Sequence, residues 1–451
     1  MQSLKLIIPL VLVAVFVFTK FQQRPGIYYV DKSNPNANDN NPGTEDAPWA
    51  TIQKGVDIAD AGDTVFVKYA VYNEDIRIKR SGNKEDGFVS FIGLGKKPPI
   101  IDGTGKSTKL IYWHGKSDGG TQKNYILIDG FEIRNAVRWA VWMQGDYNIL
   151  RNCKVHDTGG TAIQLITGSN NVFSHNEVYN TGWNGISWES NNDNTGIRTD
   201  NNIVEYNYIH DLPKHVAVNG FPNEGSGNWD QYGGVGNIVR FNKIIDCLEG
   251  FYFRYEKEMK IYSNLLVNIY GYQGIHFHVT DGDNSSTYIS DSKIYNNTIA
   301  YCKQNGIFNT NAKNLDIINN IFYMNSAHTN KSSYYDIEFK PRTQSSGNHL
   351  ENNLYYGNSS FQKQINLYGT EYTVPEIQSI GLERNGLYAD PQFVDEANKN
   401  YKLKPISPAI DTGINMESPY NFDIEGIKRP QGKAFDIGAY EYIPESEDNS
   451  K

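Results

Sequence analysis

The sequence predicts an all-β chain wound as a single-stranded parallel β-solenoid, with a capping helix at its N-terminal end and a cap segment at its C-terminal end. Three observations carry this. A chain of 451 residues with 39% hydrophobic and 21% charged content can bury a long core. Beyond about residue 67 helical periodicity almost vanishes, leaving short β-branched and aromatic runs punctuated by Asn, Gly and Asp. Those runs repeat, and each repeat keeps one polar residue in register.

The elements follow in order. Lys5 precedes an apolar run over residues 6–18, closed by Thr19 and Lys20. That is the length of a signal-peptide core and shorter than the roughly 20 residues a spanning helix needs. A cleaved export signal over 1–25 is the first reading and an uncleaved N-terminal anchor the second. Either places the protein outside the cytoplasm, secreted or at the cell surface, with the membrane involved only through that anchor. After a polar loop over 33–46, Trp49, Ile52, Val56 and Ala59 recur at helical spacing and Ala61-Gly62-Asp63 ends the helix. Thr64-Val65-Phe66-Val67 then reads as a strand.

Aligning YILIDGFEIRN, YNILRNCKVHD, NNVFSHNEVYN, NNIVEYNYIHD, GNIVRFNKIID, MKIYSNLLVN, SKIYNNTIAY and LDIINNIFY puts Asp129, Asn152, Asn176, Asn207, Asn242, Asn264, Asn297 and Asn320 in one register, with Asn353 next. Successive spacings are 23, 24, 31, 35, 22, 33, 23 and 33 residues. The floor of 22–24 is one rung, and longer spacings are the same rung with an inserted loop. An Asn at the same bend of every rung can bond its neighbours about 4.8 Å away and satisfy buried amides as a ladder. The helix near residue 50 covers the otherwise open first edge. Cys153, Cys247 and Cys302 are too few and too far apart for a disulfide framework or a zinc site, and read as buried thiols. DPQF, SPAIDTG and DIGAYEY leave the register. The solenoid is therefore expected over 26–365, its cap region over 366–446 and a frayed tail over 447–451.

Here a resemblance enters. YYVDKSNPNANDNNPGTEDAPWATIQKGVDIADAGDTVFVKYAVYNE resembles the opening of secreted right-handed parallel β-helix proteins of the pectate-lyase superfamily, and SPAID…DIGAYEY is similar to their C-terminal segment. The resemblance implies that fold for nearly the whole mature chain. It leaves activity open, because the superfamily includes pectate and alginate lyases, glycoside hydrolases, epimerases and tailspike-like binders. Neither the clustered aspartates of calcium pectate lyases nor the Asp-Pro-His-Asp motif of mannuronan epimerases is present.

Strand alternation selects the chemistry. After each Asn strand comes a second one: AVWMQ, AIQLI, GISWE, HVAVN, GFYFR, GIHFH and GIFNT. Alternation turns Val141, Ile163, Ile186, Val216, Phe251, Ile275 and Ile307 inward. The first outward column is then Trp142, Gln164, Ser187, Ala217, Tyr252, His276 and Phe308. The second is Gln144, Ile166, Glu189, Asn219, Arg254, His278 and Thr310, flanked by Asn184, His215, Glu249 and Gln273. Inserted loops over 190–200, 220–236 and 279–291 would wall this face into a groove suited to an extended polymer. Trp229 and Tyr232 in the second loop are candidates for stacking on sugar rings.

A net charge of −9 argues against a nucleic-acid partner. The expected partner is a polysaccharide, and β-elimination on a uronate chain is the expected reaction. Arg254 suits the uronate carboxylate, since its planar fork stays charged. His215, His276 or His278 suits the base, because histidine ordinarily titrates near neutral pH. Tyr252 or another histidine suits the acid, and Lys214 is a spare base or cation. Asn219, His278, Trp229, Tyr232 and Glu249 complete the substrate-binding set. The rival reading is hydrolysis by Glu189 paired with Glu249, Glu224, Asp230 or Glu256. A glycan-binding protein without catalysis is the third.

No cofactor is required by this chemistry. Asp193, Asp200, Asp281 and Asp283 are a candidate calcium set, outweighed by their reading as turn residues. His156-Asp157 and His210-Asp211 recur at the bend and read as structural. An Arg254–Glu256 surface ion pair is the plain alternative to a substrate role for Arg254.

Overall fold

A coil whose strands are three to five residues long cannot satisfy its backbone internally, so each rung must bond to the next and repeat its bends at a fixed rise. That arrangement is present in the computed structural model, which describes residues 25–106, 108–113, 122–190, 199–222, 233–279, 289–326, 334–340, 346–357 and 363–444. One sheet stacks twelve strands in chain order, from Ile27–Val30 to His349–Glu351, all parallel. A second sheet of 22 strands gathers the two remaining strands of each coil. Within one coil Ile149–Arg151, Lys154–Thr158 and Ile163–Leu165 pair with Val172–Ser174, Glu177–Thr181 and Ile186–Ser190 of the next. Tyr208–Pro222 and Lys243–Arg254 run through both of those positions and fuse the two stacks into one sheet.

The asparagine ladder is real, with a correction at its start. The amide of Asn176 donates from N and Nδ2 to Asn207 Oδ1 at 2.9 and 3.0 Å, and the same contact recurs through Asn242, Asn264, Asn297, Asn320 and Asn353. In the preceding rung the residue bonded to Asn176 Oδ1 is Cys153, through its backbone N at 3.0 Å. Asn152 is instead the bend residue before it, at φ 52°, and Asp129 pairs with Arg151. The two earliest register assignments therefore fall short of the ladder. The bend conformation repeats at His175, Tyr206, Phe241, Ser263, Asn296, Asn319 and Asn352, all with φ between 51° and 59°. Such non-glycine residues are strained alone, and the neighbouring ladder bonds hold them in place.

A second ladder was not anticipated. Asn148, Asn171, Asn202 and Asn237 stack five residues before the first series, each accepting from the amide of the previous rung. Both ladders end on a buried carboxyl: Asn237 Nδ2 donates to Glu256 at 2.8 Å, and Asn353 N donates to Glu383 at 2.9 Å.

The first end is closed by helix α1, Ile52–Ile58, capped by Thr51. Ile52 and Val56 line the same apolar interior as Ile76, Ile78 and Phe91. At the other end lie the antiparallel pair Ile365–Leu367 and Thr370–Tyr372, and helix α2, Val374–Ser379, with its capping box. Residues 389–444 return along the flank instead of covering the end: Phe422 O accepts from Ser263 Oγ, Ile414 O from Asn319, and Ala439 N donates to Thr298 Oγ1. The buried Arg429 ties this segment together through Asp436 O, Gly438 O and Glu441. All three cysteines are free and buried, and burial pushes the Cys153 thiol up to about 12. No helix among the described residues is long and apolar enough to cross a membrane. The N-terminal apolar run and the final tail lie outside the described residues.

Candidate active site

The outward column predicted from alternation exists, and its inward partners Ile163, Ile186, Phe251, Ile275 and Ile307 all belong to the buried core. One rung is displaced. Leu212 pairs with Cys247 and Val216 with Glu249, so the strand carries two extra residues in a bulge around Pro213. Val218, not Val216, therefore faces Ile186 and Phe251. A slip of two keeps the inward and outward sides but moves Asn219 into the first column, between Ser187 and Tyr252, and buries Ala217. The column reads Tyr112, Trp142, Gln164, Ser187, Asn219, Tyr252, His276, Phe308 and Glu338.

Polar chemistry concentrates where Tyr252 meets His276. Glu249 Oε1 lies 2.8 Å from His276 Nδ1. His276 Nε2 is buried and has no hydrogen-bond partner among the described residues. The Tyr252 ring stands edge-on to His276 at 4.8 Å and stacks on His278 at 5.7 Å, and Phe308 closes the other side of His276 at 5.2 Å. The carboxylate and the flanking rings hold the imidazole with Nδ1 toward Glu249 and leave Nε2 without a partner among the described residues.

The other predicted residues are placed around this pair. Arg254 is in register with His278 and only 5% exposed, its guanidinium 5.6 Å from the Tyr255 ring. Ser187 and Asn219 are buried, and Ser187 Oγ and Asn219 Oδ1 have no partner among the described residues. His215 is half-buried beside the exposed Trp183 at 5.4 Å. Its burial and the neighbouring Lys214 hold it below the ordinary histidine range, against the pull of Glu249. Lys214 itself is exposed within the bulge, and Glu189 is half-buried, in register with Phe221. Trp229, Tyr232, Glu224 and Asp230 lie outside the described residues.

Two expectations need correction. Glu256 is no surface partner for Arg254, nor a groove carboxylate. It turns inward, accepts from Trp188 Nε1 at 3.0 Å and from Asn237, and burial pushes it up to about 7. Glu249, expected to touch substrate, lies on the same face with its carboxylate against the His276 ring. Sequence reading also passed over Glu338 and Lys340, an ion pair at 2.6 Å with the lysine 5.5 Å from the Phe308 ring. The alternation of IEFK carries that signal.

Asp200 Oδ1 accepts from Val235 N at 2.8 Å, a turn role, while Asp193, Asp281 and Asp283 lie outside the described residues. Among the described residues no three acidic, histidine or cysteine side chains gather as a metal site. His156 and His210 bond Asp157 and Asp211 at 2.8 and 2.7 Å and sandwich Tyr179, a stack on the neighbouring strands, as the structural reading expects.

Residues 28–208 match the family described as Pel9A-like, right-handed β-helix region. The chain is similar to XylC, solved in complex with xylose, at a TM-score of 0.56 and 12% identity over 92% of this chain and 98% of that one. It is similar to the pectate lyase Pel9A at 0.51 and 14% over 93% and 97%. A rhamnogalacturonan lyase matches at 0.51 and 16% over 85% and 95%. No curated protein matches the sequence. At such identities these likenesses establish the fold, a right-handed parallel β-helix of the pectate-lyase-like type.

Proposed function

We propose that this pectate-lyase-like right-handed β-helix is a carbohydrate-active enzyme, secreted or held at the cell surface, that cleaves an extended uronate-containing polysaccharide by β-elimination. The observation that carries the reading is the Glu249–His276 contact at 2.8 Å with the far imidazole nitrogen unpartnered. In this reading His276 Nε2 removes the proton beside the uronate carboxylate, and the C–H electron pair becomes the new C=C bond. The glycosidic C–O bond breaks, and its oxygen takes a proton from the Tyr252 hydroxyl. Glu249 stabilises the imidazolium as it forms. Arg254, at the end of the strand that carries Tyr252, supplies fixed positive charge toward the carboxylate. The pectate and rhamnogalacturonan lyases that share the fold support an acidic polymer as substrate.

Incubating the purified chain with a panel of uronate polymers tests the proposal. The expected result is a rise in ultraviolet absorbance from the unsaturated product, lost in His276→Gln. New reducing ends without that chromophore would replace β-elimination by hydrolysis, and polymer retention without any turnover would leave a binding protein.

A further inference from the structure

On the N-terminal side of His276 the same face changes character. Arg138 lies over the ring of Trp139 at 4.0 Å and reaches Trp183 at 5.8 Å. Trp139 meets Trp142 edge-on at 3.8 Å, and Lys109 sits 3.9 Å over Trp142. Arg138 and Trp183 are separated by one rung, in which the equivalent residue is Gly160. A Cβ there would stand 2.9 Å from Arg138 Cγ and 2.4 Å from its carbonyl, so the missing side chain is what lets the arginine lie across toward the indole. Trp183 in turn contacts His215. A row of contacts thus runs along the edge of the outward face toward Glu249 and His276.

The chemistry of that end is specific. A guanidinium held by its faces against indoles keeps its in-plane N–H donors unused. No carboxylate of a described residue pairs with Arg138, which is exposed. In a chain of net charge −9, an exposed arginine and a half-buried lysine gathered on aromatic rings are where an acidic polymer would be drawn in. Five strand steps separate Trp142 from His276, about 24 Å at a rise of about 4.8 Å. We propose that Arg138, braced by Trp139 and Trp183, is a remote subsite that binds the carboxylate of a uronic-acid residue in a chain whose cleaved bond lies at His276. The subsite takes its substrate class from the lyase reading, and Arg138 acts only in binding.

The test separates the two. In an H276Q background, polymer retention is measured by affinity electrophoresis through a uronate polymer, its carboxyl-reduced form and a sulfated neutral polymer. Adding R138Q is expected to weaken retention by the uronate polymer on the order of tenfold and to leave the carboxyl-reduced form unaffected. R138K is expected to recover only part, because lysine keeps charge without the stacked fork. Equal retention with and without Arg138 would overturn the subsite, as would an equal loss on the neutral form. A larger loss on the sulfated polymer would overturn the carboxylate assignment. Binding needs no turnover. Arg138-dependent retention by an inactive wild type would sink the lyase reading alone, and turnover with Arg138-independent retention would sink the subsite alone.

Discussion

Glu249 and His276 stand on adjacent coils, 27 residues apart, and meet diagonally, from the flank of one rung to the outward column of the next. The contact fixes which imidazole nitrogen is available, so the two residues should fail differently. H276Q removes the proposed base and is expected to lower kcat by about 10²–10⁴-fold with little change in KM. E249Q keeps the size of the orienting group but loses its charge, and a drop on the order of 10² is expected, with the product chromophore still formed slowly. Initial rates on whichever uronate polymer is cleaved check both. An unchanged rate in H276Q would remove this residue from the mechanism. His215, held below the ordinary histidine range by burial and Lys214, stands as a polar ring beside Trp183.

The ladders give each coil its stiffness. Asn264 Oδ1 accepts from Asn242 N and Nδ2, both at 3.0 Å, and its own amide donates to Asn297. N264A strands those buried donors and should cost about 3 kcal/mol in denaturant unfolding. N152G, at the left-handed bend one residue off the ladder, should cost only a few tenths of a kcal/mol. Equal effects would contradict the corrected register. The carboxyls that end the ladders make stability depend on pH. Glu256 and Glu383 are each raised by burial from 4.5 to about 7, despite the hydrogen bonds they accept. The folded chain then holds more protons than the unfolded one between those values. Their contribution is full below about 4.5 and is lost as pH rises to about 7. The double variant E256Q/E383Q should therefore show a flatter decline of Tm over that window than the wild type. Parallel curves would refute the assignment.

Taken whole, the molecule is a long rod with one chemically varied face, and its flank is sealed by its own C-terminal segment. Residues 389–444 cover a second apolar cluster that includes Tyr262, Tyr295, Ile321, Tyr323 and Leu354. Ending the chain at residue 388 keeps α2 over the terminal rung but bares that cluster. The truncated protein is expected to bind an apolar dye and aggregate on warming, while the full chain stays dispersed. A monodisperse truncation would show that the segment is dispensable. The stacked coils place the rung of the proposed Arg138 subsite five strand steps, about 24 Å along the axis, from the rung of His276.

Much of this was legible in the residues. Alternation within the strands is a period-two property of the chain itself, and it placed Tyr252, His276 and His278 outside with Ile186 and Phe251 inside. The recurring asparagines announced the coil, since a buried amide needs a partner at every rung. The second series, five residues upstream in YNIL, NNVF, NNIV and GNIV, is as visible in the residues as the first. Other features were decided only by stacking. How many residues a bend consumes depends on what packs against it, so the bulge at Pro213 shifted Asn219 by two places without disturbing any pattern within a strand. Glu256 reads as a surface acid in the sequence but ends a ladder, because Trp188, two strand steps away, and Asn237 offer it donors. The meeting of Glu249 with His276 belongs to this second kind: periodicity along one strand says which way a side chain points, and only the lateral fit of neighbouring coils says what it touches.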